Sequence, residues 1–376
     1  MKVLNVNHLL DPVTGGGTAE RTFQMSRFLA KTGVSCSILT TDIGLTAERM
    51  EALQSVEVIA LHCFSKRFYI PQFSYRKIRK LIESVDIVHL MGHWTFLNAL
   101  VYFIAGHLGK PYVVCPAGAL PIYGRSRVFK VIYNHVVGKK IMDNASGYIA
   151  ITSAEITQFQ SYGVNPDRIV VIPNGIDGTE YISADDTGFR SRHGLGSDPF
   201  VLFVGRLNSI KGPDLLLQAF IRVKDRLQDF HLVFIGPDGG MLLELKEIAA
   251  VSDIADRVHF IGFLGGDDKA QAYHAAELLV IPSRQEAMSI VALEAGITAT
   301  PVLLTDQCGF DEVATINGGK VVPASVDGLQ YGLLELLKDC IQLKIMGTNL
   351  KRHVSDHFSW DSIVGNFLEL YRKLTG

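Results

Sequence analysis

Short runs of β-branched and aliphatic residues alternate with amphipathic helical stretches along the whole chain, and no other feature narrows the possible folds as much. Residues 3–6, 36–40, 56–61, 87–90, 112–115 and 148–151 read as strands, and 19–30 reads as the first helix. Strands that are short, continuous and apolar are buried on both faces, the pattern of a parallel sheet with helical crossovers. After a further run at 169–172 come the turn Pro173-Asn174-Gly175-Ile176-Asp177 and a polar stretch to Pro199. The pattern then restarts at 200–204, 231–235, 258–261, 278–281, 302–304 and 320–322, and a last helix follows at 362–374. The sequence therefore predicts two doubly wound α/β domains with a boundary near 173–198. The length, 376 residues, agrees at roughly 100–200 residues per domain. Ligands in such folds bind beyond the carboxyl ends of the strands.

Charge separates the two halves. Residues 1–150 hold 17 basic and 9 acidic side chains, a balance of +8, while the remainder holds 19 and 29, a balance of −10. The net charge of −2 excludes a general nucleic-acid coat. Five cysteines, odd in number and without a C-x-x-C pair, point to neither a zinc knuckle nor a disulfide scaffold. Each is expected to be a small buried apolar residue in a reducing compartment. The N-terminus reads as a first strand rather than a signal peptide, and no run reaches the ~20 apolar residues that span a bilayer. A cytoplasmic location is expected.

Three motifs carry chemistry. Gly15-Gly16-Gly17-Thr18 follows the first strand and opens the first helix, where it is either a phosphate cradle or a flexible turn. Gly205-Arg206-Leu207-Asn208-Ser209-Ile210-Lys211-Gly212 leaves the first strand of the second half. Its two cations at a helix start suit a diphosphate, or are merely solvated. The third motif runs from Glu286 to Glu294. With a helix starting near Ala287, the two carboxylates stand about 12 Å apart along its axis, too far to flank one glycosidic bond. Amides of Met288, Ser289 and Ile290 would then be free at the helix start. The bland alternative is an amphipathic helix with two solvated acids.

Together, Glu-x7-Glu after a Pro-Ser strand end, the upstream Gly-Arg-Leu…Lys-Gly, Pro-Asn-Gly-Ile-Asp and the Gly-rich first loop resemble the family-4 glycosyltransferases. The resemblance implies the GT-B fold, two Rossmann-like doubly wound domains facing a central cleft, and retaining, metal-independent chemistry. It implies an acceptor-binding domain of residues 1–172 plus a returning helix at about 358–376, and a donor domain of residues 173–357. Arg206 and Lys211 would hold the donor diphosphate, Glu286 the sugar or distal phosphate, and Glu294 the ribose. Phe263 and Leu264 would pack the nucleobase, and Gly16 and Gly17 would close over the diphosphate. No cofactor is implied; a UDP- or GDP-linked sugar would be the donor substrate.

The residues agree with that chemistry. Charge growing on a departing diphosphate needs a metal or fixed cations and helix dipoles. The chain has no Asp-x-Asp, so no metal site is expected. Departures fall in the first half. Met91 stands where relatives often have the second His of His-x-His-Gly, and Ala117 where many carry a His or Arg. His93 could replace the missing catalytic donor, or could merely cap a helix with Trp94. Residues 64–80 hold Lys66, Arg67, Arg76, Lys77, Arg79 and Lys80, interleaved with Phe68, Tyr69, Phe73 and Tyr75 and with no acid. None occurs between 87 and 142 either, where Arg125, Arg127, Lys130, Lys139 and Lys140 flank apolar residues 128–137. Such stretches suit peripheral docking on an anionic membrane that presents a lipid-linked acceptor, or are a solvated face plus core. No nucleic-acid partner is expected. The leading expectation is a nucleotide-sugar-dependent transferase acting on a glycan or lipid-linked acceptor, in cell-surface polysaccharide or glycolipid synthesis. The alternatives are a sugar-nucleotide 2-epimerase on the same fold and a non-catalytic partner subunit.

Overall fold

The computed structural model describes residues 1–122 and 127–376. Arg125, one of the basic residues named above, lies outside the described residues. The chain forms two compact units, Met1–Gly175 with Trp360–Gly376, and Ile176–Ser359.

The N-terminal unit is built on a seven-stranded sheet. In chain order its region contains β1 (Lys2–Val6), β2 (Ser35–Thr41), β3 (Glu57–Leu61), β4 (Cys63–Ser65), β5 (Ile70–Pro71), β6 (Ile87–Met91), β7 (Tyr112–Cys115), β8 (Gly147–Ala150) and β9 (Ile169–Val171). The sheet order is β3-β2-β1-β6-β7-β8-β9, with every pair parallel. β6, β7 and β8 are buried at every residue, as continuous apolar runs covered on both faces must be. β4 and β5 pair antiparallel outside this sheet, a hairpin too short to be read from the sequence.

The first helix departs from expectation. It spans Pro12–Lys31 rather than starting at 19, because Asp11 caps it through the amides of Val13 at 3.1 Å and Thr14 at 2.8 Å. The glycine triplet lies inside it, and Gly16 (φ 60°, ψ −145°) breaks the helical path at a dihedral pair that side chains rarely adopt.

From this helix Arg21 reaches into the core, 1% exposed. Its Nη1 donates to the Pro173 carbonyl at 2.6 Å and to Asn174 Oδ1 at 3.0 Å, and its Nη2 to the Ile172 carbonyl at 2.8 Å. The guanidinium also lies 5.4 Å from the ring centroid of Phe367, on the C-terminal helix Trp360–Thr375. One buried cation thus holds both the outgoing strand end and the returning helix. Replacing it leaves those carbonyls desolvated and unbonded. Arg21→Met is expected to cost about 3–5 kcal/mol, a fall of roughly 10 °C in Tm for a unit of this size. Arg21→Lys should not rescue it, since a point-like ammonium cannot serve the fork. Both tryptophans, Trp94 and Trp360, belong to this unit, so intrinsic fluorescence reports its unfolding alone.

The C-terminal unit contains β10 (Phe200–Val204), β11 (His231–Ile235), β12 (Val258–Gly262), β13 (Leu278–Ile281), β14 (Val302–Thr305) and β15 (Gly319–Val322). Its sheet is wholly parallel, in the order β12-β11-β10-β13-β14-β15. Strand order reverses between β10 and β13, paired through Val201–Leu278 and Leu202–Leu279. The loops leaving these two strands therefore start side by side, at the switch point where such sheets bind ligands. Four cysteines are buried as expected; Cys340 is exposed, because it opens the helix Cys340–His357 at the surface.

Candidate active site

The two loops at the switch point are the Arg206–Lys211 motif and the Glu286 motif. The first loop is pinned at both ends. The Leu207 amide donates to the Pro237 carbonyl at 3.0 Å, and the Lys211 amide donates to Asn208 Oδ1 at 3.0 Å. Gly212 ends the loop in the left-handed region (φ 68°), with its α-carbon against the Pro282 carbonyl, where a Cβ would collide. Pro213 then opens the helix Pro213–Val223.

The second loop is strapped to the first. The Arg284 amide donates to the Ile210 carbonyl at 2.8 Å. Its guanidinium donates to the Ser209 carbonyl at 2.7 Å and forks onto Asp214 at 2.9 and 2.5 Å. This strap sets the spacing between the two charged side chains at the centre, where Lys211 Nζ is ion-paired to Glu286 Oε1. The Glu286 side chain is 12% exposed. Its Oε2, like Ser283 Oγ and Ser289 Oγ, is buried without a hydrogen-bond partner among the described residues. Three unsatisfied buried oxygens in one loop are costly, and a polar ligand would satisfy them. Arg206 is half-buried beside Gly239, whose Cβ would meet its Cγ at 2.9 Å.

The helix after Glu286 begins at Ile290, not near Ala287. The Ser289 amide donates to the Cys308 carbonyl at 3.1 Å, and the Glu286 amide to the Gln307 carbonyl at 2.8 Å. These bonds hold residues 286–289 against the segment after β14. Of the three amides expected at the helix start, Ser289's is therefore spent, Met288 lies in the preceding loop, and Ile290 is the first helical residue. The 12 Å axial separation fails with it, because only the second half of the Glu286–Glu294 interval is helical.

Glu294 is not solvated either. It is buried, accepting from Lys269 Nζ at 2.9 Å and from the Tyr273 hydroxyl at 2.5 Å. Burial, reinforced by that carboxylate, raises the Tyr273 hydroxyl well above the usual tyrosine range. Lys269 and Tyr273, four apart on the helix Gly266–Ala275, escaped sequence reasoning, although their spacing puts both on one face. Phe263 stands half-exposed in the loop after β12, with Leu264 partly buried beside it. Arg284 and Asp214 were missed as contributors because they lie 70 residues apart in sequence, and Ser283 because only its burial marks it.

In the N-terminal unit, Gly16 has open space where a Cβ would stand, and Gly17, next along the same helix, is exposed. His93, in the turn after β6, is 1% exposed. The rings of Trp94, Tyr133 and Tyr162 surround it at 4.6, 5.9 and 5.5 Å. Burial pushes its pKa down to about 4, against a smaller opposing pull from the Asn134 side chain. In this structure the ring offers no surface to a sugar hydroxyl. Met91 closes β6 as a buried strand residue, and Ala117 adopts φ 54° before Gly118. Among the described residues, no group of three or more His, Cys, Asp or Glu side chains could hold a metal ion.

Comparison with known proteins meets this geometry. A family model described as glycosyl transferases group 1 matches residues 185–353, and one described as glycosyltransferase family 4 matches residues 15–180. A D-inositol 3-phosphate glycosyltransferase of Nocardia farcinica is 32% identical over 243 residues, covering 62% of this chain and 54% of that protein. Its namesake from Geodermatophilus obscurus is 28% identical over 310 residues, covering 75% and 67%. The chain thus spans about half to two thirds of the length of these curated relatives. Among solved structures, Anabaena HepE in complex with UDP and glucose superposes with TM-score 0.82 at 19% identity, covering 98% of both chains. A sucrose-phosphate synthase from Thermosynechococcus elongatus gives 0.76 at 20%, covering 100% and 99%. At those identities the likeness is one of fold, and the fold is GT-B. The chain belongs to the group 1, family 4 glycosyltransferases.

Proposed function

We propose that the protein moves a sugar from a UDP- or GDP-linked donor to a glycan or lipid-linked acceptor, with retention at the anomeric carbon and without a metal. The observation that carries this reading is the Lys211–Glu286 pair at the switch point, with Glu286 Oε2, Ser283 Oγ and Ser289 Oγ buried and unsatisfied around it. An ammonium has three donors and Glu286 takes one, which leaves two for phosphate oxygens. Arg206 supplies the second cation, and the Ile290 end of its helix a favourable dipole. Glu294, held by Lys269 and Tyr273, faces the ribose in this scheme, and Phe263 with Leu264 the base. The UDP and glucose of the HepE complex support a nucleotide-sugar donor.

In the proposed step, the bond between the anomeric carbon and the phosphate oxygen breaks, and the electron pair leaves with the diphosphate. The acceptor oxygen bonds to the same face of that carbon, and its proton passes to the departing phosphate oxygen. Arg206 and Lys211 stabilise the growing charge. The chemistry does not route through His93.

The test begins with a thermal-shift series over UDP-, GDP- and ADP-sugars. A cognate donor at about 100 times its Kd adds about 2.7 kcal/mol. With that donor, retained activity in EDTA and a product anomer matching the donor by NMR are expected. Loss in EDTA restored by magnesium, an inverted anomer, or epimerised donor in the absence of acceptor would each defeat the proposal.

A further inference from the structure

The helix Arg127–Tyr133 is amphipathic in the wrong sense for a protein core. None of its residues is buried. Val128 is 70% exposed, and Phe129, Val131 and Ile132 are all more than half exposed. Positions 128, 131 and 132 share one helical face. The turn that follows, Asn134–Gly138, exposes Val136 as well and buries only its last two residues. The apolar surface continues into the β4–β5 hairpin. The Phe129 ring meets that of Phe68 at 5.7 Å, and Phe64 is 83% exposed. Contiguous apolar surface of this kind marks an interaction site.

Cations rim it. Arg127 and Lys130 lie on the helix itself, and Lys66 and Arg67 in the hairpin, with the Arg67 guanidinium 5.4 Å from the Phe68 ring. Neither stretch, 64–80 or 87–142, contains an acid. This combination selects the occupant. A second copy would set one basic rim against another. Nucleic acid would satisfy the charges but leave Val128, Val131 and Ile132 in water. An anionic bilayer satisfies both, with aliphatic side chains below the headgroups and cations among them.

We propose that the N-terminal unit docks on anionic lipid through the helix Arg127–Tyr133 and the β4–β5 hairpin, bringing the enzyme to a membrane-borne acceptor. The docking is peripheral, since no helix among the described residues is long and apolar enough to cross a membrane. Its residues belong to the N-terminal unit and those of the donor site to the other, and its test needs no nucleotide.

The full chain is sedimented with phosphatidylcholine vesicles carrying or lacking phosphatidylglycerol. Binding is expected with the anionic vesicles at low salt, at least tenfold weaker with the neutral ones, and weaker in high salt as the screening length shortens. Val131→Asp with Ile132→Asp should lower binding at least tenfold with Tm unchanged. Lys66→Gln with Arg67→Gln should lower it about fivefold per residue. Failure of the wild type to bind anionic vesicles, or binding unchanged in both variants, overturns the proposal. So does concentration-dependent self-association that the aspartate variant abolishes, because the face would then be an interface between copies.

Discussion

Lys211→Ala is expected to lower kcat/KM for the nucleotide sugar by about 10²–10³-fold, the usual loss when one fixed donor to a developing oxyanion is removed. The substitution does two things at once. On the proposed reading it takes a cation from the diphosphate, and in any case it leaves Glu286 unpaired in a loop where that side chain is only 12% exposed. The two effects separate in a double-mutant cycle. Glu286→Gln keeps the shape and removes the charge. If Lys211 and Glu286 act as a unit, Lys211→Ala with Glu286→Gln should be little worse than Lys211→Ala alone. Lys211→Ala strands a nearly buried carboxylate and its Tm is read alongside turnover, whereas the double variant, which also removes that charge, should fold with little loss. The substrate experiment therefore reads chemistry rather than unfolding. A Lys211→Ala enzyme that keeps turnover within threefold of the wild type would remove the diphosphate from this site.

The frame of this site was legible because a parallel sheet buries both faces of its strands. Continuous apolar runs such as Leu278–Ile281 and Phe200–Val204 admit few other readings, and the structure has both at those bounds. Once β10 and β13 are neighbours, the loops after them must meet, so the pairing of the Lys211 and Glu286 motifs follows from topology. What sequence could not supply was long-range backbone pairing. Residues 287–289 look helical by composition, but the carbonyl of Cys308 takes the Ser289 amide and postpones the helix. The same holds for Arg21, whose place in an amphipathic pattern suggests solvent and whose partners are 151 to 153 residues away. The helix start at Pro12 was legible in Asp11-Pro12, but the poor helix propensity of three glycines obscured it. The unburied apolar helix Arg127–Tyr133 reads in sequence like core, and only its exposure reveals otherwise.

Mild acid is expected to unfold the N-terminal unit well before the C-terminal one. Three of its histidines are held neutral by burial. The pKa of His8 is pushed down to about 4 and that of His93 to about 4, while His89, with the Arg21 guanidinium adding to the effect, falls to about 3. His89 Nδ1 shares a 2.6 Å hydrogen bond with the Tyr371 hydroxyl, and its other nitrogen is buried without a partner. In the unfolded chain all three titrate near 6.5. Below that pH the unfolded state takes up protons that the folded state refuses until about pH 4 or lower, so stability is full above about 6.5 and falls as the pH drops. Each contributes about 1.4 kcal/mol per pH unit inside the window. Together they remove about 5 kcal/mol between pH 6.5 and 5, comparable with the whole stability of many domains. Glu155 runs the other way. Burial raises its carboxyl against the bonds from the Ile151 and Gly118 amides, but one group with its window near the carboxylate range does not offset three imidazoles. In the C-terminal unit His193 and His259 are also lowered, chiefly by burial, yet less far. Urea titrations followed by tryptophan fluorescence report the N-terminal unit alone, and should show its midpoint falling steeply from pH 7 to 5. His93→Phe, a ring for a ring among Trp94, Tyr133 and Tyr162, should remove about a third of that slope whatever it does to absolute stability. A midpoint that stays flat over this range would mean that these imidazoles are not buried as neutral groups.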